Sequence, residues 1–193
     1  MCAGRATSRS AKSNSSRSAR FTNTDSRPCR SWTPRLVEPR PKKKRDELAA
    51  SYLWLLNNGH INNWDLVDTS APRVLGGWVA TNDPTPILEL VSSDELWVRR
   101  AGILASFWLI GQGDPSLALT ICDQTVTDKR DLIQKASGWA LREVGNRCGL
   151  EHLRGFLERH AATMPRTMLR YSIEKLEPAE RNKWLTARAR HFA

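Results

Sequence analysis

From residue 45 to the end, apolar residues recur at intervals of three and four. That spacing puts side chains on one face of an α-helix. "RDELAASYLWLLNN" carries Leu48, Tyr52, Leu55 and Leu56 in this rhythm. The segments that follow in order are "NNWDLVDTSAPRVLGGWVATN", "TPILELVSS", "SDELWVRRAGILASFWLIGQG", "DPSLALTICDQTV", "RDLIQKASGWALREVGNR", "GLEHLRGFLERHAA", "MPRTMLRYSIEKL" and "PAERNKWLTARARHF". Start signals stand at Asp83-Pro84, Ser93-Asp94, Asp114-Pro115, Asp128 and Pro178, residue types that cap or open helices. Gly111, Gly113, Gly145 and Gly149 read as stops. "TSAP" at 69–72 reads as a break after Asp68. No segment alternates as a strand does, so the fold expected is all-α.

Long helices are expected to begin near residues 45, 94, 130 and 165, with a shorter one between each pair. A period of about 35–45 residues is that of HEAT-type helical pairs stacked into an α-α superhelix. Such a solenoid presents a long groove lined by one of its two helix layers.

The first 45 residues break the pattern. "TSRSAKSNSSRSARF" is too poor in apolar residues to bury a core and reads as a disordered leader. The domain expected is therefore 46–193 behind a leader of 1–45. The net charge of +10 is concentrated in that leader, where 13 Lys/Arg face Asp25 and Glu38. The remainder holds 17 Lys/Arg against 18 Asp/Glu, so the total charge says little about the folded part. "RPKKKR" at 40–45 fits a nuclear address, a nucleic-acid patch or a solvated run before a helix.

Other chemistry is thin. Cys2, Cys29, Cys122 and Cys148 form no CxxC pair and have no histidine at ligand spacing. Reduced thiols are expected, with no metal and no cofactor. No apolar run approaches 18 residues, so no membrane partner is expected.

Polar groups recur beside tryptophan along the helices. Trp64 and Asp68 are four apart and share a helical face. "LWVRR" holds Trp97, Arg99 and Arg100. "QKASGWALRE" holds Lys135, Trp139 and Arg142, and "MPRTMLRY" holds Arg166 and Arg170. Spacing alone leaves plainer roles open. Trp54, Trp78, Trp97, Trp108 and Trp184 fit core packing. Asp68 fits a helix cap, Arg99 and Arg100 a solvated face, and Asp131 and Glu143 helix-end charges. Periodicity and spacing reach a helical-repeat domain with a polar groove and go no further.

"INNWDLVDTSAPRVLG", "LWVRRAGILASF", "DLIQKASGWALREVGNR" and "MPRTMLRYSIEKL" resemble, in order, the successive motifs of the AlkD-like DNA alkylation repair enzymes. The resemblance runs from about residue 46 to about 186. It implies a HEAT-like fold and a DNA glycosylase that hydrolyses the N-glycosidic bond of cationic N3- or N7-alkylated purines. On that resemblance Asp68 matches the catalytic carboxylate, and Trp64 and Trp139 match the indoles lining the lesion's deoxyribose. Arg100 matches the arginine near the DNA backbone. Arg99, Arg142, Lys135 and Arg166 are the further candidates for DNA contact. The partner implied is double-stranded DNA carrying alkylated bases, and no lysine is placed to form a Schiff base.

Family members carry further HEAT-like helices ahead of the "NNWDLVD" unit, where this chain has its Ser/Arg-rich leader. The chain is thus expected to be the C-terminal portion of the fold, with the apolar face of helix 46–58 uncovered. A monomer is expected, self-associating if that face stays bare. A truncated DNA-binding protein without catalysis is the alternative, and a protein-binding scaffold a third. A cytoplasmic, nucleoid-associated location is expected, or a nuclear one in a eukaryote.

Overall fold

The computed structural model describes residues 41–187. The expected leader lies outside the described residues up to residue 40. Its last residues belong to the first helix. Among the described residues there are nine α-helices and no strand. They are α1 (Lys42–Asn57), α2 (Trp64–Val79), α3 (Thr85–Ser92), α4 (Leu96–Gly111) and α5 (Ser116–Thr125). Then come α6 (Asp131–Arg147), α7 (Leu150–His160), α8 (Arg166–Ser172) and α9 (Pro178–Leu185).

Neighbouring helices sort into two rows. In the first, α2 packs on α4, α4 on α6 and α6 on α8. In the second, α1 lies on α2, α3 on α4, α5 on both α4 and α6, and α7 on α6. This is the all-α helical-repeat arrangement expected. Its units start elsewhere, however. The helix in register with α4, α6 and α8 is α2, beginning at residue 64, and α1 is its second-row partner. Helix length could not distinguish the two members of the first hairpin, and α8 has only 7 residues.

α4 is the centre. Its residues from Arg100 to Phe107 are all buried, because α2, α3, α5 and α6 surround it. A helix apolar on nearly every side has no stable place except the interior. Ile103, Leu104 and Ala105 of α4 meet a core that includes Val67, Ala71 and Leu75 of α2 and Ile133, Ala136 and Leu141 of α6, all with essentially no exposure. Each large aliphatic chain so buried contributes about 1.5–3 kcal/mol.

Glycine sets the closest approaches in the first row. A Cβ on Gly76 of α2 would lie 2.5 Å from the Ala105 carbonyl oxygen of α4. One on Gly138 of α6 would lie 2.6 Å from the Met168 carbonyl oxygen and the Tyr171 Cβ of α8. Gly145 is inside α6 and does not end it. Its missing side chain admits Leu153 of α7, whose Cδ2 would be 2.8 Å from a Cβ there. Gly149, at φ 125°, does mark a break, just before α7.

The expected break at Thr69–Pro72 does not occur: α2 runs through Pro72 to Val79. Proline has no N–H to give the Asp68 carbonyl one turn back. Thr69 and Ser70 hold the same turn by donating their hydroxyls to the Asp65 and Leu66 carbonyls. Ala71, Pro72 and Leu75 are buried, which offsets the lost bond.

Candidate active site

α2 begins at Trp64 because Asn63 caps it, its Oδ1 accepting from the Leu66 N–H at 2.9 Å. A side-chain cap of this kind contributes about 1 kcal/mol. Asp68 is therefore the fifth residue of a helix and not its cap. Tyr52 of α1 hydrogen-bonds Ser70 at 3.0 Å, tying the second row to this turn. Burial, with the nearby Asp68 charge adding to it, raises the Tyr52 pKa against the lowering effect of Ser70.

Asp68 points toward α4. Arg100 donates Nε to Asp68 Oδ1 at 2.8 Å and Nη2 to Oδ2 at 2.7 Å. Its remaining terminal nitrogen, Nη1, donates to the Leu132 carbonyl of α6 at 2.7 Å. One guanidinium thus spans three successive helices of the first row. Arg100 is 6% exposed, and the Asp68 side chain 17%. A charge as deep as Arg100 needs such a partner, since desolvation without one costs several kcal/mol.

The two indoles differ. Trp64 stands 60% exposed at the start of α2, one turn before Asp68. Trp139 of α6 is half-buried, and its ring meets Phe107 of α4 edge-on at 4.6 Å between centroids. A Trp, a carboxylate, an Arg and a second Trp thus come from α2, α4 and α6 along one row. The set offers a wet indole face beside a carboxylate whose direction is fixed from behind.

The candidate DNA contacts are mostly committed within the protein. Arg99 gives Nη1 to Asp128 at 2.6 Å and Nε to the Ser93 carbonyl at 2.8 Å, so it joins α4 to the turn before α6. It is not a solvated charge. Arg142 is 9% exposed and donates to Glu174. Glu143 lies 3.7 Å from its Nε. Arg166 donates to the Leu185 carbonyl at 2.9 Å. Lys135 pairs with Asp131 at 2.7 Å across one surface turn of α6, which raises its pKa. Arg100 itself holds Asp68 with the edge that a phosphate would use. The spacing of tryptophan and arginine could not reveal these partners, because most lie 29–32 residues away.

Asp128 is the deepest carboxylate of this network. Burial alone would raise its pKa, but bonds from the Arg130 side chain and N–H and from Arg99 outweigh it and bring it to about 2. Among the described residues no group of His, Cys, Asp and Glu is placed to hold a metal ion. Cys122 and Cys148 are free thiols. No described helix is long and apolar enough to cross a membrane.

Of the tryptophans read as core, Trp184 is buried, while Trp78, Trp97 and Trp108 are half-buried. Trp78 donates Nε1 to Asp46 at 3.0 Å. Trp54 is the exception, 61% exposed and stacked on His60 at 5.5 Å. The helical rhythm of α1 is satisfied by Ala49, Tyr52 and Leu56, which leaves Trp54 outside it. Leu48 and Leu55 are also exposed.

A family model described as DNA alkylation repair enzyme matches residues 9–176. The match covers the first eight helices through residue 176 and takes in residues 9–40 as well. No curated protein matches the chain.

Proposed function

Because the chain belongs to the DNA alkylation repair enzymes, an enzyme family of DNA repair, we propose that it is a glycosylase for cationic alkylated purines in double-stranded DNA. One observation carries this proposal. A carboxylate that keeps some exposure, Asp68, stands one helical turn from an indole that faces solvent, Trp64.

The chemistry follows from charge. A purine alkylated at N3 or N7 is already positive. When its bond to C1′ breaks, the bonding pair stays on the purine and neutralises it. Positive charge then develops on C1′ and the ring oxygen. A fixed carboxylate beside that sugar stabilises the developing cation without reorganising. Asp68 also orients a water, whose oxygen bonds to C1′ and whose proton leaves to Asp68 or to solvent. The Trp64 and Trp139 faces stabilise the electron-poor sugar, by about 0.5–2 kcal/mol each. Arg100 acts from behind, fixing the carboxylate. The lesion supplies its own leaving-group activation, so no base pocket is needed, unlike enzymes that extrude their target.

Asp68→Asn tests the reaction. Release of 7-methylguanine from methylated DNA by the full chain should fall to background while DNA binding persists. Release near the wild-type rate would remove Asp68 from the chemistry.

A second reading keeps DNA binding without catalysis. The two-point contact of Arg100 favours it, since a carboxylate with both oxygens engaged offers less charge to a sugar. Wild-type protein that binds methylated DNA and releases no base would establish it.

A further inference from the structure

α2, α4, α6 and α8 start at residues 64, 96, 131 and 166. The fifth residue of each is Asp68, Arg100, Lys135 and Arg170. The last three are 35 residues apart in turn. Links between neighbours hold the helices side by side, with residues 68 to 100, 100 to 132 and 142 to 174 each joined across 32 positions, so Lys135 and Arg170 each stand just under one turn further along than such a link would reach. The row is continuous beyond Arg100 as well. Lys135 is near enough to Arg100 of α4 and to Tyr171 of α8, the residue after Arg170, for both to act on its charge. Asp68, with Arg100 buried against it, is thus followed along the row by two cations more exposed than Arg100, Lys135 on α6 and Arg170 on α8.

The cations differ in what neutralises them. Arg100 is matched by Asp68 and Lys135 by Asp131. Arg170 is exposed and has no carboxylate or hydrogen-bond partner among the described residues. The candidates that sequence suggests, Arg99, Arg142 and Arg166, are all held by protein oxygens. Redirecting a buried, paired guanidinium to a phosphate sacrifices the pair, whereas Arg170 sacrifices nothing.

Resting on the glycosylase reading above, the geometry points to Arg170 as a fixed anchor for one backbone phosphate of the DNA. It sets which way the strand runs from Asp68 across α4, α6 and α8. Phosphate contacts of this kind position a duplex without reading its sequence. An anchor two helices from the carboxylate gives the strand a direction, with the sugar at the acidic end.

The test uses the full chain and a duplex carrying one 7-methylguanine. Single phosphates on either strand are replaced by neutral methylphosphonates, one at a time. In the wild type, replacement at one phosphate to one side of the lesion should weaken binding several-fold. Arg170→Gln should weaken binding and lose that one penalty while keeping the rest. Its salt dependence, as the slope of log K on log salt, should fall by about 0.9. Single-turnover release at sub-saturating enzyme should slow in step with the weaker binding. Arg181→Gln, on α9 and off the row, should keep every penalty. If Arg170→Gln keeps all penalties and the full salt slope while wild type releases base, the anchor is wrong and the glycosylase stands. If wild type binds the duplex without releasing base, the glycosylase falls and the same penalties still decide the anchor. If wild type does not bind the duplex, both fall.

Discussion

Arg100 and Asp68, 32 residues apart, meet through two parallel hydrogen bonds of 2.8 and 2.7 Å, one from Nε and one from Nη2. This contact joins α2 to α4 and aims the carboxylate at the same time. Removing one partner strands the other. Arg100→Ala should lower unfolding stability by about 3 kcal/mol, as for loss of one side of a buried ion pair. Arg100→Lys should recover only part, since an ammonium cannot reach both oxygens and the Leu132 carbonyl in the same plane. Urea titration of the three proteins checks the order. Wild-type stability in Arg100→Ala would show that the contact holds nothing.

Trp64 and Trp139 should separate in their effects. Trp64 is mostly in water, so Trp64→Ala should leave the melting temperature nearly unchanged. It should slow base release by roughly 2- to 30-fold, the range of one indole–cation contact. Trp139→Ala also removes the edge contact with Phe107 and should lower the melting temperature by several degrees. Thermal melts beside single-turnover release distinguish the two.

Three helical glycines give opposite signs. Gly76→Ala and Gly138→Ala force a Cβ into backbone 2.5 and 2.6 Å away, between paired helices. Each should cost about 1–3 kcal/mol, the usual penalty of overpacking. Gly77 lies in α2 with nothing near a new Cβ. Gly77→Ala should stabilise by roughly 0.5–1 kcal/mol. Chemical denaturation should place the two classes on either side of wild type.

Asp128 gives an acid limb. Its pKa is about 2 in the folded protein, against 3.8 as the ordinary value. A depressed carboxylate stabilises the fold fully above its unfolded value and loses that contribution as pH falls through its folded one. Stability should therefore decline between about pH 4 and pH 2 by about 2 kcal/mol from this group. Asp128→Asn should be less stable at pH 7 and flatter over that window. Equilibrium unfolding at a series of pH values reads both; an unchanged acid limb would count against the Arg99–Asp128–Arg130 network.

The sequence by itself determined the helices and their order. Side chains three and four apart share a face whatever surrounds them, so the rhythm in "RDELAASYLWLLNN" and the eight later segments needed no neighbour. The Trp64–Asp68 pairing was legible for the same reason. Where competing signals were local, they misled: Pro72 reads as a break and Gly145 as a stop, yet both are interior to helices that their neighbours hold. Tertiary structure decided what each charge and ring is for. It paired Arg99 with Asp128 and Arg142 with Glu174, left Trp54 in water, and made α2 the first member of the row. Those outcomes depend on partners one repeat away, and a repeat whose units share a shape but little sequence does not write such distances into local spacing.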